Sequence, residues 1–281
     1  MPLVAFQGEP GAYSQEAIFQ AFGAETPTLA CHSFLQIFQA VDSGRAELGM
    51  VPIENSTAGA INESYDLLLD YDLKITREVI FRVRHALLAI EGAALADIQR
   101  IYSHPAALAQ CEHFIADHKW NALAAYDTAG AAKQLVESRD SQAAAIASAT
   151  AAQIYGLHIL MRDVQDLKTN LTRFFVVGRH ESPRAEKSKT SLVFSTRHIP
   201  GTLHASLGEF ASRGINLTKL ESRPDRRQPW HYVFYLDFED RWDDPLCRDA
   251  LLGLLNQSSF LKVLGSYPAA PVKVIQSANE F

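Results

Sequence analysis

The residues best suited to chemistry lie in one stretch, Asn170-Leu171-Thr172-Arg173-Phe174-Phe175-Val176-Val177. Phe174 to Val177 reads as a strand buried on both faces, because a short unbroken apolar run suits a central strand better than an exposed edge. Thr172 and Arg173 then stand at its mouth. An arginine there offers a planar fork of donors matched to a carboxylate, and the adjacent hydroxyl gives or accepts one further hydrogen bond. The pair suits a small anion. The alternative is that Arg173 pairs with an acid of the protein's own surface, an arrangement worth roughly 0–1 kcal/mol.

A second polar cluster, Glu54-Asn55-Ser56-Thr57-Ala58-Gly59, follows the apolar strand Leu48 to Ile53, where open α/β sheets place ligands. One of Asn55, Ser56 and Thr57 is expected to cap the helix running through Tyr65 to Leu69, which leaves the others over. Near the start, Gly8-Glu9-Pro10-Gly11-Ala12-Tyr13-Ser14 joins the strand Leu3 to Phe6 to the helix Gln15 to Phe22. Such a corner receives anions, since first-turn N–H groups lack partners within the helix, although a tight turn needing positive φ explains the glycines equally. Neither G-x-G-x-x-G nor a P-loop occurs, so nucleotide chemistry lacks its usual marker. Ser103-His104-Pro105 opens a helix expected over Ala106 to His118. Pro105 fits the first helical position with Ser103 or His104 as cap, and this structural role weighs more for His104 than a ligand contact. Cys31, Cys111 and Cys247 lie far apart with no metal-ligand spacing to the histidines, and read as reduced structural thiols.

The elements that must position these residues come from pattern. The chain has 281 residues, enough for two compact units at roughly 100–200 residues each. A net charge of −6 argues against a nucleic-acid partner, which calls for a basic face. No apolar run approaches the roughly 20 residues that span a bilayer, and Met1 to Gly8 carries no basic segment before an apolar one, so no membrane partner and a cytoplasmic location are expected. Phe34 to Ser43 reads as a helix. Lys74 to Ile90 reads as one long extended segment that changes pattern near His85, as a crossing between two lobes would. After it come a strand at Ile98 to Tyr102, the helix from Ala106, a strand at Ala122 to Tyr126, a helix from Asp127-Thr128 through Val136, and the alanine-rich Ala143 to Ile154. This β/α alternation predicts a parallel sheet with helices on both faces.

Composition shifts at the charged, aromatic-free Arg179 to Ser188, which reads as a linker. Beyond it the pattern is strand Thr190–Ser195, helix Gly201–Arg213, strands Leu217–Ser222 and His231–Phe238, helix Pro245–Leu255 and strand Phe260–Tyr267. That order, βαββαβ, is the ferredoxin-like pattern. So few clustered titratable groups favour regulation over catalysis for this unit.

Five pieces in sequence, the turn Gly8 to Ser14, Val51-Pro52-Ile53-Glu54-Asn55-Ser56, Ser103-His104-Pro105, Thr172-Arg173-Phe174 and Glu221-Ser222-Arg223-Pro224, resemble the prephenate dehydratases that carry a C-terminal ACT regulatory domain. One departure is Gly201-Thr202-Leu203-His204, where many members have Gly-Ala-Leu-Val. The resemblance implies an α/β catalytic region of two lobes, similar to type II periplasmic binding proteins, over residues 1–180. One lobe is 1–80 with 160–180 and the other 81–159, followed by a linker 181–188, the ACT domain 189–270 and a tail 271–281. The helical chorismate mutase segment of fused relatives is not seen, which implies a monofunctional lyase.

The implied reaction is decarboxylating dehydration of prephenate to phenylpyruvate in L-phenylalanine biosynthesis. Thr172 would donate to the departing hydroxyl and Arg173 hold the side-chain carboxylate, with Asn55 and Ser56 completing the catalytic wall and Thr57, Phe174, Ser103 and His104 contacting substrate. No metal or organic cofactor is implied. L-Phenylalanine would inhibit allosterically from a site of Gly201, Thr202, Leu203, Asn216, Leu217, Glu221, Ser222, Arg223 and Pro224, built across two subunits of a homo-oligomer, a dimer or a homotetramer. Arogenate as substrate, or a ligand-sensing bilobed protein without catalysis, are the alternatives.

Overall fold

The computed structural model describes residues 1–197, 199–225 and 231–270. The chain opens with β1 (Val4–Gln7), α1 (Tyr13–Phe22), β2 (Thr28–Cys31), α2 (Phe34–Asp42) and β3 (Leu48–Asn55). Val4, Ala5 and Phe6 are buried, as the apolar run requires, and the turn after them needs glycine at Gly11. There φ is +90°, and a Cβ would lie 2.8 Å from the Cα of Ala151. Next, β4 (Gly59–Ala60) folds back on Glu54 and Asn55, and α3 (Asn62–Asp70) and β5 (Lys74–Arg82) follow.

The extended segment read as continuous breaks at residues 83–85 and resumes as β6 (Ala86–Ala89). Then come β7 (Arg100–Ser103), α4 (Pro105–Gln110), α5 (Glu112–Asp117), β8 (Asn121–Ala124), α6 (Thr128–Ser138), β9 (Ala143–Ala147), α7 (Ala149–Tyr155), β10 (His158–Arg162) and β11 (Leu171–Gly178). The single helix expected after Pro105 is two, because Cys111 leaves helical geometry at φ −122° and ψ 25°. Ala143 to Ala147 is a strand with every residue at 0% exposure, despite alanine's preference for helix. Propensity is a small bias per residue, and a site too narrow for larger side chains overrides it. Ser148 then caps α7, its Oγ accepting from Ala151 N at 2.9 Å.

Two sheets result, with orders β2-β1-β3-β11-β5 and β10-β6-β9-β7-β8. In the second, β7 runs parallel to β8 and β9 as expected, whereas β6 is antiparallel to β9 and β10. The all-parallel expectation is thus corrected at β6 and β10. β6 enters from β5 of the other sheet rather than through a crossover helix within its own, so no βαβ unit sets its direction parallel to β9.

Residue packing groups 1–67 with 79–175, and 68–78 with 176–270. In the second group, residues 179–187 carry neither helix nor strand. They lead to β12 (Ser188–Thr196), α8 (Thr202–Ala211), β13 (Leu217–Pro224), β14 (Tyr232–Glu239), α9 (Pro245–Gln257) and β15 (Ser258–Pro268). The order β13-β14-β12-β15, with β12 antiparallel to both neighbours, is the expected βαββαβ unit. Leu192, Phe194, Leu236 and Phe238 line one sheet face and bury against Phe210, Cys247 and Leu254 of the two helices. The opposite face meets residues 68–78 at Gly265, where a Cβ would fall 2.4 Å from the carbonyl oxygen of Ile75. The expected tail 271–281 lies outside the described residues. Among the described residues no helix is long and apolar enough to cross a membrane.

Candidate active site

β11 lies beside β3 in the first sheet, which puts Thr172, its second residue, next to Asn55, the last residue of β3. Asn55 Nδ2 donates to Thr172 Oγ1 at 2.9 Å and to Asn170 Oδ1 at 2.7 Å. The orientation of this amide follows from the backbone. Asn55 Oδ1 accepts from the N–H groups of Thr57 at 2.9 Å and Ala58 at 3.0 Å, which can only donate, so the NH₂ must face Thr172. An acceptor position of the Thr172 hydroxyl is thereby filled, and among the described residues nothing accepts its proton. The hydroxyl is a donor in waiting.

The same logic runs outward from Asn55. Asn170 Nδ2 donates to Gln110 Oε1 at 2.8 Å, and Gln110 Nε2 donates to Asn55 Oδ1 at 3.2 Å and Thr57 Oγ1 at 2.9 Å. Gln110 Oε1 therefore also accepts from His85 Nε2, 2.8 Å away, and His85 Nδ1 accepts from the Tyr13 hydroxyl at 2.7 Å. His85 is 2% exposed, and burial pushes its pKa below the usual imidazole value, so the ring is neutral.

Asn55, Thr172, His85, Gln110 and Tyr13 share the wall of a cavity of about 310 Å³, a size that suits a small ligand. Two helix starts open onto it, α1 at Tyr13 and Ser14 and α6 at Thr128. The amide N–H groups of Tyr13, Ser14 and Thr128 have no partner among the described residues. His104 and Asp127 complete the wall, and both also cap helices. His104 Nδ1 accepts from Ala106 N at 3.2 Å, while Asp127 accepts from Gly130 N and, at 2.9 Å, from Glu9 N. Burial pushes the Asp127 carboxyl up and the His104 imidazole down. Among the described residues of this wall there is neither lysine nor arginine.

Other residues singled out from sequence stand elsewhere. Arg173 is 8% exposed, with Nη1 3.3 Å from Glu54 Oε1 and its guanidinium 4.7 Å from the centre of the Phe175 ring. It lines neither this cavity nor a second one of about 410 Å³ that holds Thr57 beside Gln110 and Asn170. Consecutive strand residues point to opposite faces, so Thr172 and Arg173 cannot both look into one cleft, and the joint anion grip is replaced by a partly buried ion pair. Ser56 clasps the start of β11, its N–H donating to Leu171 O at 2.8 Å and its Oγ accepting from Leu171 N at 3.0 Å. Ser103 is wholly buried and donates to Ile146 O at 2.6 Å, and Phe174 is a core side chain.

In the C-terminal unit, Gly201 at φ +84° starts α8, and Thr202 Oγ1 donates to the carbonyls of Arg197 at 2.8 Å and Ile199 at 2.9 Å. With Leu203 they border a cavity of about 480 Å³. Leu203 and Leu217 also pack against the helix-side core. Asn216 is exposed beside the edge strand β13, on which Ser222, Arg223 and Pro224 pair with Phe234, Val233 and Tyr232 while Glu221 lies 3.7 Å from Lys219.

Sequence reading did not select His85, Gln110 or Asp127 for the site. Gln110 sits inside what reads as an ordinary helix, and His85 carries only the change of pattern that marks the crossing.

A family model described as Prephenate dehydratase matches residues 4–182. Arogenate dehydratase/prephenate dehydratase 2, chloroplastic, of Arabidopsis thaliana is 44% identical over 276 residues, covering 94% of this chain and 72% of the relative. Among solved structures, GqqA, described as a novel type of quorum quenching acylase, aligns with a TM-score of 0.88 at 39% identity over 96% of this chain and 99% of its own. Prephenate dehydratase from Arthrobacter aurescens in complex with L-Phe aligns with a TM-score of 0.87 at 32% identity over 99% of this chain and 97% of its own.

Proposed function

The chain belongs to the prephenate dehydratase family, and from that premise we propose that it is a lyase converting prephenate to phenylpyruvate, carbon dioxide and water. The observation that carries the mechanism is the Thr172 hydroxyl, held as an acceptor by Asn55 with its proton unclaimed. As carbon dioxide leaves, its bonding pair enters the ring and the ring hydroxyl departs with its own pair. A proton drawn from solvent completes the water. Thr172 stabilises the departing oxygen by donating to it, an interaction that strengthens as charge develops. The free N–H groups at the starts of α1 and α6 hold the substrate carboxylates, a task suited to helix N-termini. An acyl transfer of the kind named for GqqA fits less well. Thr172 Oγ1 has no general base hydrogen-bonded to it among the described residues, as an attacking hydroxyl would need, and a donor fills one of its two acceptor positions. Incubating the purified chain with prephenate and following phenylpyruvate tests the reading. Binding without turnover would make it a ligand sensor instead.

Arogenate, named for the plant relative beside prephenate, is favoured by one feature of the wall. Asp127 is a buried carboxylate with no lysine or arginine near it in the cavity, and the ammonium of arogenate would neutralise it where the keto group of prephenate would not. Comparing kcat/KM for both compounds in wild type and Asp127→Asn separates the two. Arogenate as the true substrate requires the variant to lose selectivity toward it.

For regulation, the C-terminal unit takes L-phenylalanine as an inhibitor, in keeping with the L-Phe complex of the Arthrobacter enzyme. The N–H groups of Leu203 and His204 at the start of α8, without a partner among the described residues, suit the amino acid's carboxylate, and the side-chain carbonyl of the exposed Asn216 its ammonium. Completion of the site by a second copy implies a homo-oligomer. Titration calorimetry with L-phenylalanine, run beside activity and light scattering, checks this. Neither heat nor inhibition at millimolar effector overturns it.

A further inference from the structure

Two residues without any sequence signal stand behind the reactive hydroxyl. Thr172 keeps a proton to donate only while Asn55 turns its NH₂ toward it, and Asn55 Oδ1 is held by four donors, Thr57 N, Thr57 Oγ1, Ala58 N and Gln110 Nε2. Gln110 is itself oriented from the far side. Its Oε1 accepts from both His85 Nε2 and Asn170 Nδ2, so its NH₂ can face only Asn55 and Thr57. His85 has one ring proton to place, and its Nε2 faces Gln110 Oε1, which can only accept, so that proton is on Nε2. Nδ1 is left to accept from the Tyr13 hydroxyl, whose single proton has Arg84 O at 3.1 Å as its other acceptor.

We propose that His85 and Gln110 are positioning residues for the reaction: the Nε2–H tautomer of His85 sets the Gln110 amide, and Gln110 locks Asn55 so that the Thr172 proton stays directed into the cavity. Asn170 closes the ring by accepting from Asn55 and donating back to Gln110. Every member is neutral and has its donors matched to acceptors. Reversing any one amide sets acceptor against acceptor at the next, and Asn170 and His85, at 1% and 2% exposure, have no access to water that would repair the mismatch on their side. A loose network of this kind leaves the hydroxyl in place but misdirects its proton, which lowers turnover without weakening binding.

The proposal rests on Thr172 as the reacting donor, and a double-mutant cycle separates the two claims. Gln110→Glu is isosteric and still accepts from His85 and Asn170, but it turns an acceptor toward Asn55 Oδ1. The expected result is a kcat lower by about 10- to 100-fold with KM within about twofold, and no further loss when the change is made on a Thr172→Val background. His85→Gln keeps a donor near the Nε2 position and should retain most of the turnover that His85→Leu loses. If Thr172→Val alone is near wild type, the dehydratase mechanism itself fails. If Thr172→Val is crippled but Gln110→Glu adds its full effect on top, or acts on KM alone, the positioning role is wrong. Gln110→Glu changes no volume, so it decides the matter even if His85→Leu does not fold.

Discussion

Two buried polar regions of this chain are built on opposite principles. Around Thr172 the partners are neutral: Asn55, Asn170, Gln110 and an uncharged His85. Across residues 68–78 and the rear of the β12–β15 sheet, charges do the holding. Lys262 Nζ donates to the carbonyls of Leu68 at 3.1 Å, Leu69 at 2.9 Å and Tyr71 at 2.7 Å, closing the C-terminal end of α3. Lys189 lies 3.0 Å from Glu78, which also accepts from Ala270 N at 2.8 Å. An ammonium satisfies several carbonyls at once and favours a helix C-terminus, but it has no acceptor end and so cannot set the direction of another group's proton. A carboxamide has one donor end and one acceptor end. It transmits orientation without placing a charge beside a cavity that must receive an anion.

Removing the oriented proton should have the largest effect. Thr172→Val keeps the side-chain shape and is expected to lower kcat by about 10²- to 10⁴-fold with little change in KM. Steady-state kinetics with less than a threefold loss would end the comparison, since the amide network would then direct nothing of consequence. On the charged side, Lys262→Met strands three carbonyls and should cost about 3 kcal/mol, the upper range for bonds to a charged donor. Urea unfolding reads that loss. A fall in kcat as large as that of Thr172→Val, at unchanged stability, would blur the distinction between the two regions.

Arg173 sharpens it from a third direction. Paired with Glu54 and stacked on Phe175, it should behave as a structural cation, and Arg173→Met is expected to lose about 1.5 kcal/mol of stability with KM nearly unchanged. A tenfold rise in KM without destabilisation would restore the substrate-gripping role read from the sequence.

The smallest expected effect is in pH. Burial lowers the folded-state pKa of His85 below 6.5, so between these two values the unfolded chain binds a proton that the native ring refuses. The contribution is fully present above pH 6.5 and is lost as pH falls through the folded value. Asp127 acts oppositely, because its raised pKa favours the native state as pH falls. The difference between wild type and His85→Gln isolates the histidine: the stability gap between pH 7 and pH 5 should be more favourable to pH 5 in the variant. Identical pH profiles would mean that the native ring takes its proton as easily as the unfolded one.

Much of this was legible in one dimension. The βαββαβ order beyond residue 188 follows from period-two strands and periodic helices separated by turn residues, all local signals. The crossing near His85 showed as a change of pattern. Asn55 and Thr172 stood out because polar residues at the ends of apolar strands have few structural reasons to be there, and the structure joins them by one hydrogen bond. The alanine strand β9 and the break at Cys111 were not legible, since each depends on how much room neighbouring elements leave.

Residue type and periodicity along the chain set the α/β class, most of the elements and the two polar clusters at strand ends. Only the tertiary structure decided which face of β11 looks into the cleft, and so that Thr172 belongs to the cavity while Arg173 turns to Glu54. It alone brought Gln110 and His85, distant in sequence, behind Asn55. The physical reason is that a hydrogen bond needs two partners within about 3 Å and correctly aimed, and aim is a property of packed strands and helices rather than of residue order.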